Sequence, residues 1–117
     1  MKVALLGTGL LGQGVAERLH ATGHVVTAYN RSIEKTHALR QRGLHIAPTA
    51  AEALRAADVA LLLLSDAAAI RAVLLHPLTS PAIQGRTIIQ MGTIAPAESC
   101  SIAKEVNRLG GSYLEAP

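Results

Sequence analysis

Gly7-Thr8-Gly9-Leu10-Leu11-Gly12 lies between an apolar run, Val3 to Leu6, and a segment with helical spacing. A second strand-like run, His24 to Tyr29, follows that segment. A G-x-G-x-x-G hexamer alone decides little, but strand, glycines, helix and strand in this order form the fingerprint of a dinucleotide-binding turn. Each glycine has its own task. Gly7 permits the tight turn from strand to helix, and Gly9 lets a pyrophosphate approach backbone that a Cβ would shield. Gly12 lets the helix lie close against the strand. Thr8, Leu10 and Leu11 complete the loop. Its unpaired N–H groups, backed by the aligned peptide dipoles of the helix, are the expected phosphate ligands.

Outward from this turn, strands and helices alternate. Gly12 to Ala21 reads as the first helix, with Leu11, Val15, Ala16 and Leu19 spaced to face a sheet and Gly23 past its end. After His24 to Tyr29 comes the turn Asn30-Arg31-Ser32. Ser32 is placed to cap a helix to about Arg42, with Glu34 in its first turn and Gly43 closing it. Leu44 to Ala47 predicts a short strand stopped by Pro48, and Thr49-Ala50-Ala51-Glu52 a capping box opening a helix to Ala57. Val59 to Leu64 is unbroken aliphatic, the mark of a central strand buried on both faces. Asp66 can cap Ala67 to Leu75, and Pro77 to Gly85 reads as loop. Thr87 to Met91 is the fifth strand, Pro96 opens a helix ended by Gly110-Gly111, and Ser112 to Glu115 is the sixth strand. The expected fold is α/β: one domain over residues 1–117, a doubly wound parallel sheet of about six strands with helices on both faces. Its ligand belongs at the carboxyl ends of the strands.

Composition agrees with that fold. Half of the 117 residues are hydrophobic, yet aromatics make up only 2%. The core must therefore be aliphatic, as suits a sheet covered on both sides. No apolar stretch approaches the roughly 20 residues that a membrane-spanning helix needs. Met1-Lys2 leads straight into the first strand without a signal-peptide pattern. The single cysteine, Cys100, excludes an intrachain disulfide and fits a reducing, cytoplasmic setting. Net charge is +3 and the pI about 9.5. The basic residues are scattered and not interleaved with aromatics, which argues against nucleic acid as a partner. The five histidines are not spaced as metal ligands: Gly23 separates His20 from His24, and the others fall in different elements.

The turn after the second strand selects the cofactor. An NAD site places a carboxylate there for the ribose hydroxyls, whereas an NADP site avoids it and supplies positive charge for the 2′-phosphate. Here Asn30 can bond a ribose hydroxyl without repelling phosphate, and the Arg31 guanidinium can pair with it bidentately. Ser32 offers a hydroxyl and an N–H, and Lys35 stands one turn on. NADP is thus the expected cofactor, with NAD possible; FAD folds also want an acid at this position. Two more strand ends border the same crevice: Leu64-Ser65-Asp66 after strand four, and Gly92-Thr93-Ile94 after strand five. Asp66 reads first as a helix cap. The Thr93 hydroxyl suits a cofactor carboxamide, a substrate carboxylate or a local turn bond alike.

Taken together, these motifs resemble the N-terminal half of the β-hydroxyacid dehydrogenases. That group includes 3-hydroxyisobutyrate dehydrogenase and the glyoxylate/succinic semialdehyde reductases, with 6-phosphogluconate dehydrogenase and imine reductases as relatives. The resemblance spans the chain. It rests on the glycine hexamer, on Tyr29-Asn30-Arg31-Ser32 with Lys35, on Gln90-Met91-Gly92-Thr93-Ile94-Ala95-Pro96 with Ser99, and on Gly110-Gly111 followed by Tyr113-Leu114-Glu115-Ala116-Pro117. The family commonly has Asp and Ser where Gln90 and Gly92 stand, Asp in place of Glu115, and Leu-Pro in place of Ser65-Asp66. The resemblance implies a Rossmann domain, hydride transfer between NADP(H) and a small 3-hydroxy acid, semialdehyde or similar carbonyl, and no membrane partner. It also implies that the catalytic lysine lies beyond Pro117, in a helical second domain that builds a homodimer. An NADP(H)-binding sensor or interaction module without turnover is the alternative.

Overall fold

The structure, a computed structural model, describes residues 1–8 and 10–116. Six strands form one sheet in the order β3-β2-β1-β4-β5-β6. They are β1 (Lys2–Leu6), β2 (Val25–Tyr29), β3 (His45–Ile46), β4 (Val59–Leu62), β5 (Thr87–Gln90) and β6 (Ser112–Glu115). Every pairing is parallel. The helices α1 (Leu10–Ala21), α2 (His37–Gln41), α3 (Ala50–Arg55), α4 (Ala67–Val73) and α5 (Pro96–Arg108) lie in the crossovers. Chain order reverses at β1, which pairs with β2 on one side and β4 on the other. Leu6 is in register with both Tyr29 and Leu62, so three strands end at one level. That is the switch point at which a doubly wound sheet opens a crevice.

Alternation along the strands divides the core into two layers. Ala4 and Leu6 of β1, Ala60 and Leu62 of β4 and Ile88 of β5 pack with Leu54 of α3, Ile70 of α4 and Ile102 and Val106 of α5. Leu5 of β1 and Val26 and Ala28 of β2 point the other way, onto Ala16 of α1 and Leu39 of α2. Each large aliphatic side chain fully buried in this way stabilises the fold by about 1.5–3 kcal/mol. No aromatic ring is among the fully buried side chains; Tyr29 and Tyr113 flank the larger layer.

Several elements depart from expectation, each for a local reason. Helix α1 starts at Leu10 rather than Gly12, and Leu11 does not face the sheet but is 66% exposed. Successive helical residues are about 100° apart, and it is Gly12 that is buried against the strand end. Ser32 makes no side-chain cap bond. The segment after it is a 3-10 turn, Ile33–Thr36, before the short α2, because the buried Thr36 hydroxyl bonds back to the Ile33 carbonyl. Strand β4 stops at Leu62; Leu63 still donates to the Leu6 carbonyl at 2.9 Å, its own carbonyl fills the space a Cβ on Gly7 would need, and the chain bends at Ser65 and Asp66. The stretch expected as loop contains a 3-10 turn, Ser80–Ile83, that buries Ala82 and Ile83.

Two caps formed as expected. The Thr49 hydroxyl accepts from the Glu52 N–H at 3.1 Å, and the Asp66 carboxylate from the Ala69 N–H at 2.8 Å. At the opposite, amino-terminal edge of the sheet, the Arg86 guanidinium donates to four carbonyls. These are Ala57 at 2.9 Å and Arg55 at 3.3 Å behind α3, and Ala82 at 2.7 Å and Gln84 at 3.3 Å before β5.

Candidate dinucleotide site

An open cleft of about 760 Å³ lies over the ends of β1, β2 and β4 and runs down between α3 and α4. Its upper rim is the glycine turn. Gly7 has φ +99°, a left-handed conformation, and a Cβ there would run into the Leu63 carbonyl. Its N–H donates to the Tyr29 carbonyl at 2.9 Å, tying β1 to β2. A Cβ on Gly12 would sit 2.7 Å from the Gly7 carbonyl oxygen, so the helix rests directly on the turn. Gly9 and Pro117 lie outside the described residues. Thr8 is 1% exposed, and its hydroxyl is buried with no hydrogen-bond partner among the described residues. Buried polar atoms in native proteins are almost always paired. An unpaired hydroxyl beside the start of a helix without an acid in its first turn therefore fits a phosphate group.

The second rim is the turn after β2. The Thr8 N–H donates to the Asn30 side-chain oxygen at 3.2 Å, and the Asn30 side-chain nitrogen donates to the Ser32 carbonyl at 2.9 Å. Asn30 is thus a bracket between the glycine turn and the β2 turn; one lone pair and one N–H remain for a ribose hydroxyl. Arg31 and Lys35 both line the cleft and are exposed. The Lys35 carbonyl accepts from the Gln13 side chain of α1 at 3.4 Å. Ser32 is held by its carbonyl but does not line the cleft.

The third rim is β4 and α4. Leu64 and Ser65 line the cleft, whereas Asp66 is exposed, spent as the α4 cap, and outside the lining. Thr93, in the loop after β5, is exposed and also outside it. That loop is shaped from below by Gln90, which is fully buried. Its side-chain nitrogen donates to the Gly92 carbonyl at 2.7 Å, and its side-chain oxygen accepts the Gly92 N–H. Farther along, the buried Ser99 hydroxyl pairs with the Tyr113 hydroxyl at 3.0 Å. Partial burial raises the Tyr113 pKa above its ordinary value, with Ser99 opposing that shift.

Sequence reasoning missed the lower walls: Pro48 to Ala51 and Arg55 on one side, Ala69, Ala72, Val73 and His76 on the other. A signal existed, since residues 69, 72 and 73 share a helix face and Pro48 marks a strand end above the crevice. The His76 ring accepts the Leu78 N–H on Nδ1 at 3.1 Å, which leaves Nε2 as a donor in the neutral ring. Arg31, Lys35, Arg55 and His76 line the cleft, and no carboxylate does. Among the described residues no group of His, Cys, Asp and Glu could hold a metal ion, and no helix is long and apolar enough to cross a membrane.

Comparison with known proteins agrees with this geometry. Residues 2–117 match the family described as the NAD binding domain of 6-phosphogluconate dehydrogenase. The chain is 34% identical over 120 residues to the zebrafish (Danio rerio) cytokine-like nuclear factor N-PAC, covering 99% of this chain and 26% of that protein. It is 31% identical over 121 residues to 2-hydroxy-3-oxopropionate reductase of Escherichia coli K12, covering 100% of this chain and 40% of the reductase. An imine reductase from Streptomyces aurantiacus superimposes with a TM-score of 0.93 at 30% identity, over 100% of this chain and 42% of the enzyme. The chain therefore spans between about a quarter and two fifths of these relatives' lengths.

Proposed function

The chain belongs to the family of the NAD binding domain of 6-phosphogluconate dehydrogenase, and on that premise we propose that it is the NADP(H)-binding domain of a reductase acting on a small carbonyl, semialdehyde or imine. The observation that carries the NADP reading is the β2 turn. Asn30 and Arg31 stand where an NAD site would present a carboxylate, and the cleft they border is lined by Arg31, Lys35, Arg55 and His76 but by no carboxylate. When bound, the nicotinamide supplies the hydride. The chain's own residues do the holding. The start of α1 and the Thr8 hydroxyl take the pyrophosphate, Arg31 and Lys35 the 2′-phosphate, and Leu64 and Ser65 border the ribose. We assign Thr93, which stands outside the cleft lining, to the nicotinamide or substrate side because its loop follows β5.

Proton delivery to the nascent alkoxide or amine belongs to residues outside 1–117. The cleft lining holds no carboxylic acid, and its one lysine, Lys35, follows the β2 turn; the reductases the chain matches are more than twice as long. A cytoplasmic homodimer is part of the same reading. The test is twofold: NADPH and NADH titrations of the protein, and NADPH oxidation with glyoxylate, succinic semialdehyde and a cyclic imine. The expected results are at least tenfold tighter NADPH binding and turnover only in a form that carries the further domain.

One observation favours a second reading. The zebrafish N-PAC relative is at least as similar as the reductase and carries a nuclear-factor name. Under that reading the domain binds NADP(H) without turnover. Tight NADPH binding with no reduction of any carbonyl or imine by the whole protein would decide for it.

A further inference from the structure

The cleft has more positive charge than the β2 turn alone brings to it. Arg31 and Lys35 stand on that turn, while Arg55 lines the cleft from the last turn of α3, a different segment of the chain. Among the described residues the ion pairs are Arg42–Glu17 and Arg108–Glu105, so Arg31, Lys35 and Arg55 have no carboxylate partner there. The base of Arg55 is firmly held. Thr49 caps α3, Ala50, Ala51, Ala53 and Leu54 are buried, and the Arg55 carbonyl itself accepts from Arg86. Its guanidinium makes no hydrogen bond within the described residues. An arginine planted on a fixed, buried helix and turned into an acid-free cleft is ready for an anion.

We infer that Arg55 is a selectivity-determining residue: it pairs with the 2′-phosphate of NADP(H) from the α3 wall, while Arg31 holds it from the β2 turn. The inference rests on the NADP reading above. A phosphate monoester carries a charge of about −1.5 to −2 at neutral pH and three strong acceptor oxygens. A bidentate guanidinium occupies two of these and neutralises one charge. A second guanidinium from another wall completes both the charge and the coordination. NADH has a hydroxyl in that place and gives Arg55 nothing to pair with.

The test compares dissociation constants for NADPH and NADH, by fluorescence titration at fixed ionic strength, in the parent, Arg31→Ala, Arg55→Ala and Arg55→Lys. Arg55→Ala is expected to lose roughly tenfold in NADPH affinity while NADH binding changes less than about twofold. Arg55→Lys should retain part of the loss, and the salt dependence of NADPH binding should flatten in Arg55→Ala. Three outcomes overturn the inference. Equal losses for both cofactors would place Arg55 on the base or pyrophosphate. No loss in Arg55→Ala, with Arg31→Ala still costing NADPH selectively, would make Arg55 a solvated side chain and leave the NADP reading standing. A parent that binds both cofactors equally, unaffected by Arg31→Ala, would sink that reading and this inference with it. Thermal melting of each variant separates a folding defect from a binding one.

Discussion

Helix α1 carries two glycines that offer opposite outcomes for one substitution. A Cβ on Gly14 would meet nothing within 4 Å, whereas one on Gly12 would lie 2.7 Å from the Gly7 carbonyl oxygen. Alanine in a helix interior is favoured over glycine by about 0.8–1.0 kcal/mol. Gly14→Ala should gain that amount in full, raising the melting temperature by about 3–5 °C for a domain of this size. Gly12→Ala gains the same propensity and then meets a backbone oxygen some 0.7 Å inside ordinary contact. Backbone cannot step aside as a side chain end would, so the helix start must move away from the turn at an overpacking cost of about 1–3 kcal/mol. The net effect is a loss of about 0–2 kcal/mol. The same shift displaces the N–H groups proposed to hold the pyrophosphate, so NADPH and NADH should weaken together by an order of magnitude or more. Differential scanning fluorimetry gives the stabilities and cofactor titration the affinities. If Gly12→Ala stabilised the protein as much as Gly14→Ala and bound cofactor normally, the close seating of helix on turn would be refuted.

Asn30→Ala removes the bracket and leaves the Thr8 N–H without its partner, costing about 1–3 kcal/mol and weakening both cofactors. Asn30→Asp keeps the acceptor for Thr8 but adds a negative charge beside the proposed 2′-phosphate position, so titration should show NADPH losing ground to NADH. Asp66→Ala should lose about 1 kcal/mol of stability with cofactor affinity unchanged, and Asp66→Asn should recover most of it; a large loss of affinity would return Asp66 to the site. Tyr113 titrates higher in the folded chain than its ordinary value of 10.0 because burial disfavours the phenolate. The unfolded chain therefore loses this proton first, and the contribution to stability, whole below pH 10, falls away as pH rises through the folded value. Tyr113→Phe should flatten that alkaline decline in urea melts recorded between pH 9 and 11.

The sheet and its order were legible because the pattern of aliphatic runs between helices admits few parallel arrangements, and a glycine-hinged first crossover fixes where the order reverses. Boundaries were less so. Val59 to Leu64 reads as one strand, but hydrophobicity does not record that the ladder ends at Leu62, where the Leu63 carbonyl comes to lie against a glycine from another segment. Leu11 has helical spacing from Val15 and Leu19, and only the contact of Gly12 with the turn rotates it out to solvent. Of the site, the glycine turn and Asn30-Arg31 were read from their chemistry. The α3 and α4 walls were not, since alanines carry no chemical signature and reach the cleft only after two crossovers have been placed. Arg55 was visible as a charge, but not as one of the few that share a cavity.

Arg86 joins segments that are about thirty residues apart in the chain, the exit of α3 and the entry to β5, at the end of the sheet opposite the glycine turn. Neither segment can peel away without stranding a guanidinium among carbonyls that have lost their donor. The two should therefore open as one cooperative unit. Amide hydrogen exchange would register this as a shared opening free energy for β4 and β5. Replacing Arg86 with methionine would split that unit in two and quicken exchange at the base of the sheet, while the glycine turn at the other end kept its protection.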